Sequence, residues 1–270
     1  MPDTPPDMRR QRPSLRQTWA QGSEAIGVWL STTDSVVAEI AGATDADYVC
    51  IDTQHGAVDY LAAVPMIQGI ELGGGIPIAR VPWNEPGVIG KLLDAGCHGV
   101  IVPMVNDREQ AEAVVRACRY APDGSRSWGP TVTQLRHTDN RAWAADTIAV
   151  IPMIETVQAL ENLDAIVATP GIDAVYVGPA DLSISLGLAP GNNDGTPAFD
   201  EALAAIVAAC TRRGVIPGIH ASGALAQRRR EQGFRMITVA SDVLAVRHGL
   251  RAELETARGG GSAAAPAALY

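Results

Sequence analysis

Six polar side chains stand at the ends of otherwise apolar runs or just beyond them. They are Asp52 closing YVCID and His55 just beyond it, Arg80 in PIARV, Glu155 closing IAVIPMIE, Asp181 after AVYVGP, and His220 closing VIPGIH. A charge in such a place is costly unless it is paired or binds something. Glu155 and Asp181 offer two carboxylates that could converge on one hard divalent cation, Mg2+ or Mn2+, with water or substrate filling the remaining positions. Read structurally, the same two acids are helix N-caps or ion-pair partners, and position alone leaves both readings open. Asp52 and His55 fit a carboxylate–histidine dyad in which the acid fixes the imidazole tautomer and raises its basicity for proton transfer. A lone loop histidine that is merely exposed is the plain alternative. Arg80 presents a planar fork suited to a carboxylate or a developing enolate oxygen, or else to an internal ion pair with one of the acids.

These residues need a scaffold that aims several chain ends at one place. Eight short apolar runs, at 26–30, 48–52, 77–81, 99–105, 148–155, 174–179, 215–220 and 236–241, alternate with amphipathic stretches such as DSVVAEIAGA, EPGVIGKLLDAG, DREQAEAVVRAC and DEALAAIVAACTRRG. Near-continuous hydrophobicity suits parallel strands covered on both faces. Eight strand–helix units in about 250 residues predict an α/β fold, the (β/α)8 TIM barrel, whose catalytic groups gather at the carboxyl ends of the strands. An open doubly wound sheet is the runner-up, but no GxGxxG follows the first strand. Gly73, Gly74 and Gly75 read as a loop. The segment 120–146 is long for a plain connection, and as a helix-to-strand link it belongs on the face away from catalysis.

The predicted organisation is a loose arm over 1–20, a barrel over 21–258 and a flexible tail over 259–270. Of the 270 residues, 47% are hydrophobic and 19% charged, enough for a sizeable core. A net charge of -9 disfavours a nucleic-acid surface, and no run approaches the roughly 18 apolar residues of a membrane helix. Cys50, Cys97, Cys118 and Cys210 form no CxxC pair, which predicts reduced thiols in a cytoplasmic protein. Cys50 lacks an activating base. Arg212, Arg213, Arg228, Arg229 and Arg230 read as solvated helix faces, Trp83 as packing on the barrel rim and His137 as exposed.

The motifs YVCIDTQHG, IARVPWNEPGVIGKLLDAG, VIVPMV, RYAPDGSRSWGP, MIET and VGPADLS resemble, in order and spacing, the HpcH/HpaI aldolase/citrate lyase family, in its branch of metal-dependent pyruvate aldolases acting on 4-hydroxy-2-oxo acids. The resemblance covers about residues 26–250. It implies a barrel of the phosphoenolpyruvate/pyruvate-binding type, a homohexamer built as a dimer of trimers, and a last helix packed on a neighbouring subunit. It also implies Glu155 and Asp181 as metal ligands for Mg2+ or Mn2+, with Co2+ or Zn2+ as further options. His55 with Asp52 matches the family's base, and Arg80 its pyruvate-binding, enolate-stabilising arginine. Gly178, Pro179 and Ala180 would lie near the pyruvate carboxylate. The chain departs from the pattern at Met153, where many relatives carry glutamine, at Gln54, where they carry glutamate, and at His220, where an apolar residue is common and the aldehyde is expected.

These expectations compose a reaction. Cleavage of a 4-hydroxy-2-oxo acid leaves a pyruvate enolate, whose charge a divalent metal and Arg80 would stabilise while His55 removes the C4 hydroxyl proton. No lysine stands at a predicted strand end, which argues against a Schiff-base aldolase. The competing readings are another enolate chemistry on the same site (acyl-CoA lyase, oxaloacetate decarboxylase or cyclising enzyme) and a barrel that binds such ligands without turnover.

Overall fold

The computed structural model of the chain describes residues 12–259. Its eight strands are β1 (Ala25–Leu30), β2 (Tyr48–Asp52), β3 (Pro77–Arg80), β4 (Gly99–Val102), β5 (Ala149–Pro152), β6 (Ala174–Val177), β7 (Ile216–His220) and β8 (Met236–Ser241). All ladders are parallel, and the sheet runs β5-β4-β3-β2-β1-β8-β7-β6. A parallel bridge between Met153 and Tyr176 brings β5 and β6 together and completes the ring. The predicted barrel is therefore present.

Helices lie where the amphipathic stretches placed them, at Ser35–Gly42, Pro86–Ala95, Arg108–Cys118 and Pro197–Arg213. Local chemistry sets their ends. Asp34 accepts from the N–H groups of Val36 and Val37, and Asp107 from that of Gln110; such caps are each worth about 1 kcal/mol. At the far end of Pro197–Arg213, Gly214 takes the left-handed conformation (φ 69°) that terminates a helix without Cβ strain.

Strand parity decides what points into the barrel. Successive residues face opposite sides, so Tyr48 and Cys50 carry Asp52 inward, Ile78 carries Arg80, and Ala149, Ile151 and Met153 carry Glu155. The inward set Trp29, Tyr48, Cys50, Ile78, Ile101, Ile151, Met153, Tyr176 and Met236 forms one buried cluster, separate from the larger apolar layer between sheet and helices. Room for the aromatic rings comes from missing side chains: a Cβ on Gly27 would lie 2.2 Å from the Tyr48 ring.

The amino-terminal end of the barrel differs from expectation. Within the stretch assigned to a loose arm, Leu15–Ala20 is a helix with a capping box between Ser14 and Gln17, and its Leu15 and Trp19 join the interior cluster. The i, i+4 spacing of Leu15 and Trp19 makes a stripe that the surrounding proline and arginine obscured. Residues 1–11 and, beyond Gly259, the tail lie outside the described residues. The segment 120–146 contributes the short helices Thr133–Arg136 and Asn140–Thr147. It is tied down by Arg126 to Asp94 (2.5 Å) and by contact of its Arg16-bound end, the Ala145 carbonyl, with the helix Leu15–Ala20. His137 is not exposed; its ring stacks on Trp143 at 4.2 Å.

Arg229 is a further correction. The sequence predicts solvated arginines over Arg228–Arg230, yet Arg229 is fully buried and donates to Asp194 Oδ1 (2.9 Å), to Gln232 and to Asn192. Its partners Asn192 and Asp194 sit on the loop that follows the helix Pro179–Ser185, so a tertiary contact selects which of three consecutive arginines turns inward.

Candidate active site

At the carboxyl ends of the strands lies a cavity of about 450 Å³ whose walls include Trp29, His55, Arg80, Met153, Tyr176, Gly178, Pro179, Ala180, Asp181 and His220. Nearly every residue singled out from the sequence lines it or stands directly behind it. No residue of 120–146 does.

Asp52 and Arg80 occupy paired register positions on β2 and β3. The guanidinium donates to both carboxylate oxygens, Nε to Oδ1 at 2.9 Å and Nη2 to Oδ2 at 2.7 Å. Burial raises the Asp52 carboxyl, but the bonds and charge of Arg80 outweigh it and hold the acid below the usual carboxylate range. Asp52 also accepts from the backbone N–H groups of Gln54 (3.1 Å) and His55 (3.3 Å). The expected side-chain dyad is thus replaced: Asp52 orients the arginine and the turn that carries His55, while the imidazole itself stands exposed at the cavity mouth. Parity explains this, because Asp52 and Arg80 are the inward residues of adjacent strands and His55 belongs to the loop above.

Glu155 is 2% exposed and has no ion-pair partner among the described residues. Its Oε1 accepts from the N–H of Met104 at 2.8 Å. Met104 has φ 56°, a left-handed conformation unusual outside glycine, and this aims its N–H at the acid. Burial chiefly, helped by the nearby charge of Asp181, pushes the Glu155 carboxyl up to about 7. The second oxygen faces Gly178, where an added Cβ would lie 2.5 Å from Oε2 and 2.9 Å from the Met153 methyl. Asp181 is exposed in the first turn of the short helix Pro179–Ser185.

This donor set fits a hard cation. A buried carboxylate lacking a counter-charge, a second acid near it and a glycine that leaves space between them are what an oxygen-ligated divalent ion requires. No three His, Cys, Asp or Glu side chains gather into a metal cluster among the described residues, so protein would supply two ligands and substrate or water the rest.

The floor is aromatic, and sequence reasoning passed over it. Trp29 stacks on Tyr176 (5.8 Å between centroids), meets His220 edge-on (5.1 Å) and lies 5.0 Å from the Arg80 guanidinium carbon. Both Trp29 and Tyr176 lie within apolar runs and read as core; their inward parity was the available signal. Cys50 is buried beneath, its thiol pushed well up by burial, and all four cysteines are free. On the far wall, Gly191 and Asn192 belong to the loop clamped by Arg229.

Fold and site together define a (β/α)8-barrel enzyme with an acid- and arginine-lined pocket at its catalytic rim. Residues 25–249 match the family described as HpcH/HpaI aldolase/citrate lyase. A hydroxypyruvate/pyruvate aldolase of Rhizorhabdus wittichii is 38% identical over 249 residues, covering 90% of this chain and 98% of that protein. A 4-hydroxy-2-oxo-heptane-1,7-dioate aldolase of Salmonella arizonae is 34% identical, covering 86% and 89%. An HpcH/HpaI family protein of Burkholderia cenocepacia superposes with a TM-score of 0.83 at 31% identity, covering 90% and 98%. The chain belongs to the HpcH/HpaI aldolase/citrate lyase family.

Proposed function

We propose that this chain is an aldolase that cleaves and forms 4-hydroxy-2-oxo acids, with pyruvate or a related 2-oxo acid and an aldehyde as the smaller partners. The observation that carries the reading is the Asp52–Arg80 pair with the buried Glu155: a fixed cation lining the cavity and an acid, without an ion-pair partner among the described residues, behind Gly178 in its wall. The aldolases among its relatives, aligned along nearly the whole chain, support it.

Glu155 and Asp181 would hold a divalent cation, Mg2+ or Mn2+, which when bound supplies Lewis-acid stabilisation of the charge that develops on the 2-oxo group. Arg80, held in plane by Asp52, binds the carboxylate or the 2-oxo oxygen and stays charged throughout. His55 takes the proton of the C4 hydroxyl as the C3–C4 bond breaks, releasing the aldehyde. C3 of the remaining pyruvate enolate then collects a proton. Met153, Gly178, Pro179 and Ala180 would enclose the 2-oxo acid end, with the amides of Gly178 and Ala180 as backbone donors, since Pro179 has none.

The catalytic unit is the barrel over 21–258 together with the helix Leu15–Ala20. We place it in the cytoplasm, which four free buried thiols suit; no described helix is long and apolar enough to cross a membrane. A homohexamer is supported by the last helix, Asp242–Ala257, where Val243, Val246, Leu250 and Leu254 are each about half exposed or more along one stripe.

The deciding experiment follows the methyl protons of pyruvate in heavy water, with Mg2+ or Mn2+ and then with chelator. Metal-dependent exchange is expected in the wild type and lost in Asp181→Ala, and aldol cleavage should be slowed about 10²- to 10⁴-fold in His55→Ala, the range of a general base. Exchange that ignores both chelator and Asp181→Ala would overturn the reading.

A further inference from the structure

His220 has no counterpart in the chemistry described so far, and its surroundings specify a role. Four polar groups run through the barrel interior in one line: Tyr48 Oη meets Thr238 Oγ1 at 2.8 Å, Tyr176 Oη donates to the same Thr238 Oγ1 at 2.6 Å, and His220 Nδ1 meets Tyr176 Oη at 3.3 Å. Tyr48, Tyr176 and Thr238 are buried to 1% exposure or less.

The direction of this chain determines the histidine. Tyr176 Oη donates to Thr238 Oγ1, which leaves its oxygen to accept from His220, and the tautomer that matches this arrangement carries the hydrogen on Nδ1. A neutral imidazole with Nδ1–H has a bare lone pair on Nε2. Nε2 has no protein partner among the described hydrogen bonds, and His220 lines the cavity. The ring cannot turn away, since Trp29 packs edge-on against it. Burial first, then the nearby charge of Arg80, lowers its pKa to about 4, so the imidazole stays uncharged at neutral pH.

We propose that His220 is locked as the Nδ1–H tautomer and presents Nε2 to the cavity as a hydrogen-bond acceptor, so that the site selects substrates bearing a hydroxyl beside the reacting carbonyl. The proposal deepens the aldolase reading and rests on it. Trp29, Tyr176 and Met153 share the cavity lining with His220, and an analogue lacking the hydroxyl leaves Nε2 desolvated and unpaired. The hydroxyl can arrive on either partner: on C3 of the 2-oxo acid, as in hydroxypyruvate, or on C2 of the aldehyde, as in glycolaldehyde.

The test measures kcat/KM in the synthetic direction for two matched pairs, hydroxypyruvate against pyruvate with one aldehyde, and glycolaldehyde against acetaldehyde with one 2-oxo acid. At least one pair should favour the hydroxylated member by about 10- to 100-fold in the wild type, and the pair that does identifies which partner carries the group. In His220→Phe, which keeps an aromatic ring against Trp29, that ratio should fall to within about 3-fold. Tyr176→Phe leaves His220 in place but frees its tautomer, and should erode the same ratio. Independently of turnover, wild-type protein labelled with 15N-histidine should show Nδ1 protonated and Nε2 bare in the ring whose signals Tyr176→Phe perturbs. No preference in either pair, a preference that survives His220→Phe, or the opposite tautomer would overturn the proposal. Failure of the aldolase reading is separate, because it appears as absent pyruvate exchange in the wild type.

Discussion

Asp52 and Arg80 face each other across adjacent strands and share two parallel hydrogen bonds, with 4% and 12% of their side chains exposed. The pair is an instrument for positioning a cation: Asp52 is buried behind, Arg80 borders the cavity, and the bidentate geometry leaves the guanidinium one orientation.

Removing the acid should therefore damage both stability and chemistry. Asp52→Asn leaves Arg80 without its counter-charge in a mostly buried place, at a cost of about 3–5 kcal/mol. It should lower kcat/KM about 100-fold through misplacement of the arginine. Chemical denaturation and steady-state kinetics report the two effects, and wild-type values in both would remove Asp52 from the site. The pH sign follows from its lowered pKa. The folded acid loses its proton more readily than the unfolded one, so its contribution is complete above about pH 4 and disappears only on further acidification.

Gly178→Ala isolates the space beside Glu155. Its φ of -93° accommodates alanine, so the backbone tolerates the change, but the new methyl would fall 2.5 Å from Glu155 Oε2. We expect a folded protein whose Mn2+ affinity, measured by calorimetry, is weaker by about 10-fold or more. Undiminished affinity would mean that Glu155 does not reach the cation past this residue.

Glu155 also makes a prediction about protons. With its carboxyl raised from 4.5 to about 7 in the ion-free protein, the folded state holds a proton that the unfolded state has lost. Ion-free stability should therefore decline as pH rises from about 4.5 through 7. Glu155→Gln should flatten that decline. Divalent-ion affinity should rise over the upper part of the same window with release of close to one proton, measurable by calorimetry in buffers of different ionisation heat. Affinity independent of pH between 6 and 8 would contradict the assignment.

Leu250 tests the assembly. Its side chain is 62% exposed on the apolar stripe of the last helix, and Leu250→Asp should convert the oligomer to a smaller species in light scattering. A monomeric wild type would end the hexamer reading.

Much of the site was legible because strand parity and strand ends are local properties: Asp52, Arg80 and Glu155 each continue the inward set of their own strand. The expected Asp52–His55 dyad failed for the same reason, since residues three apart across a strand end do not share a direction. Trp29 and Tyr176 were hidden by their hydrophobicity, which makes a cavity wall look like core. Met104 could not be found from propensity, because its left-handed backbone is imposed by the bond to Glu155 and not encoded by its side chain. Arg229 was invisible among three arginines until the loop bearing Asp194 folded against it.

The helix Leu15–Ala20 has a kinetic consequence. Among the described residues, Leu15 and Trp19 pack into the interior cluster from the amino-terminal end of the barrel, opposite the rim that carries the cavity. Glu155 lies deep and Arg80 partly so, whereas His55 stands at the threshold. On the proposed aldolase reading, the partner that must reach Arg80 would enter first and depart last, with the aldehyde exchanging above it, a queue imposed by the shape of the vessel.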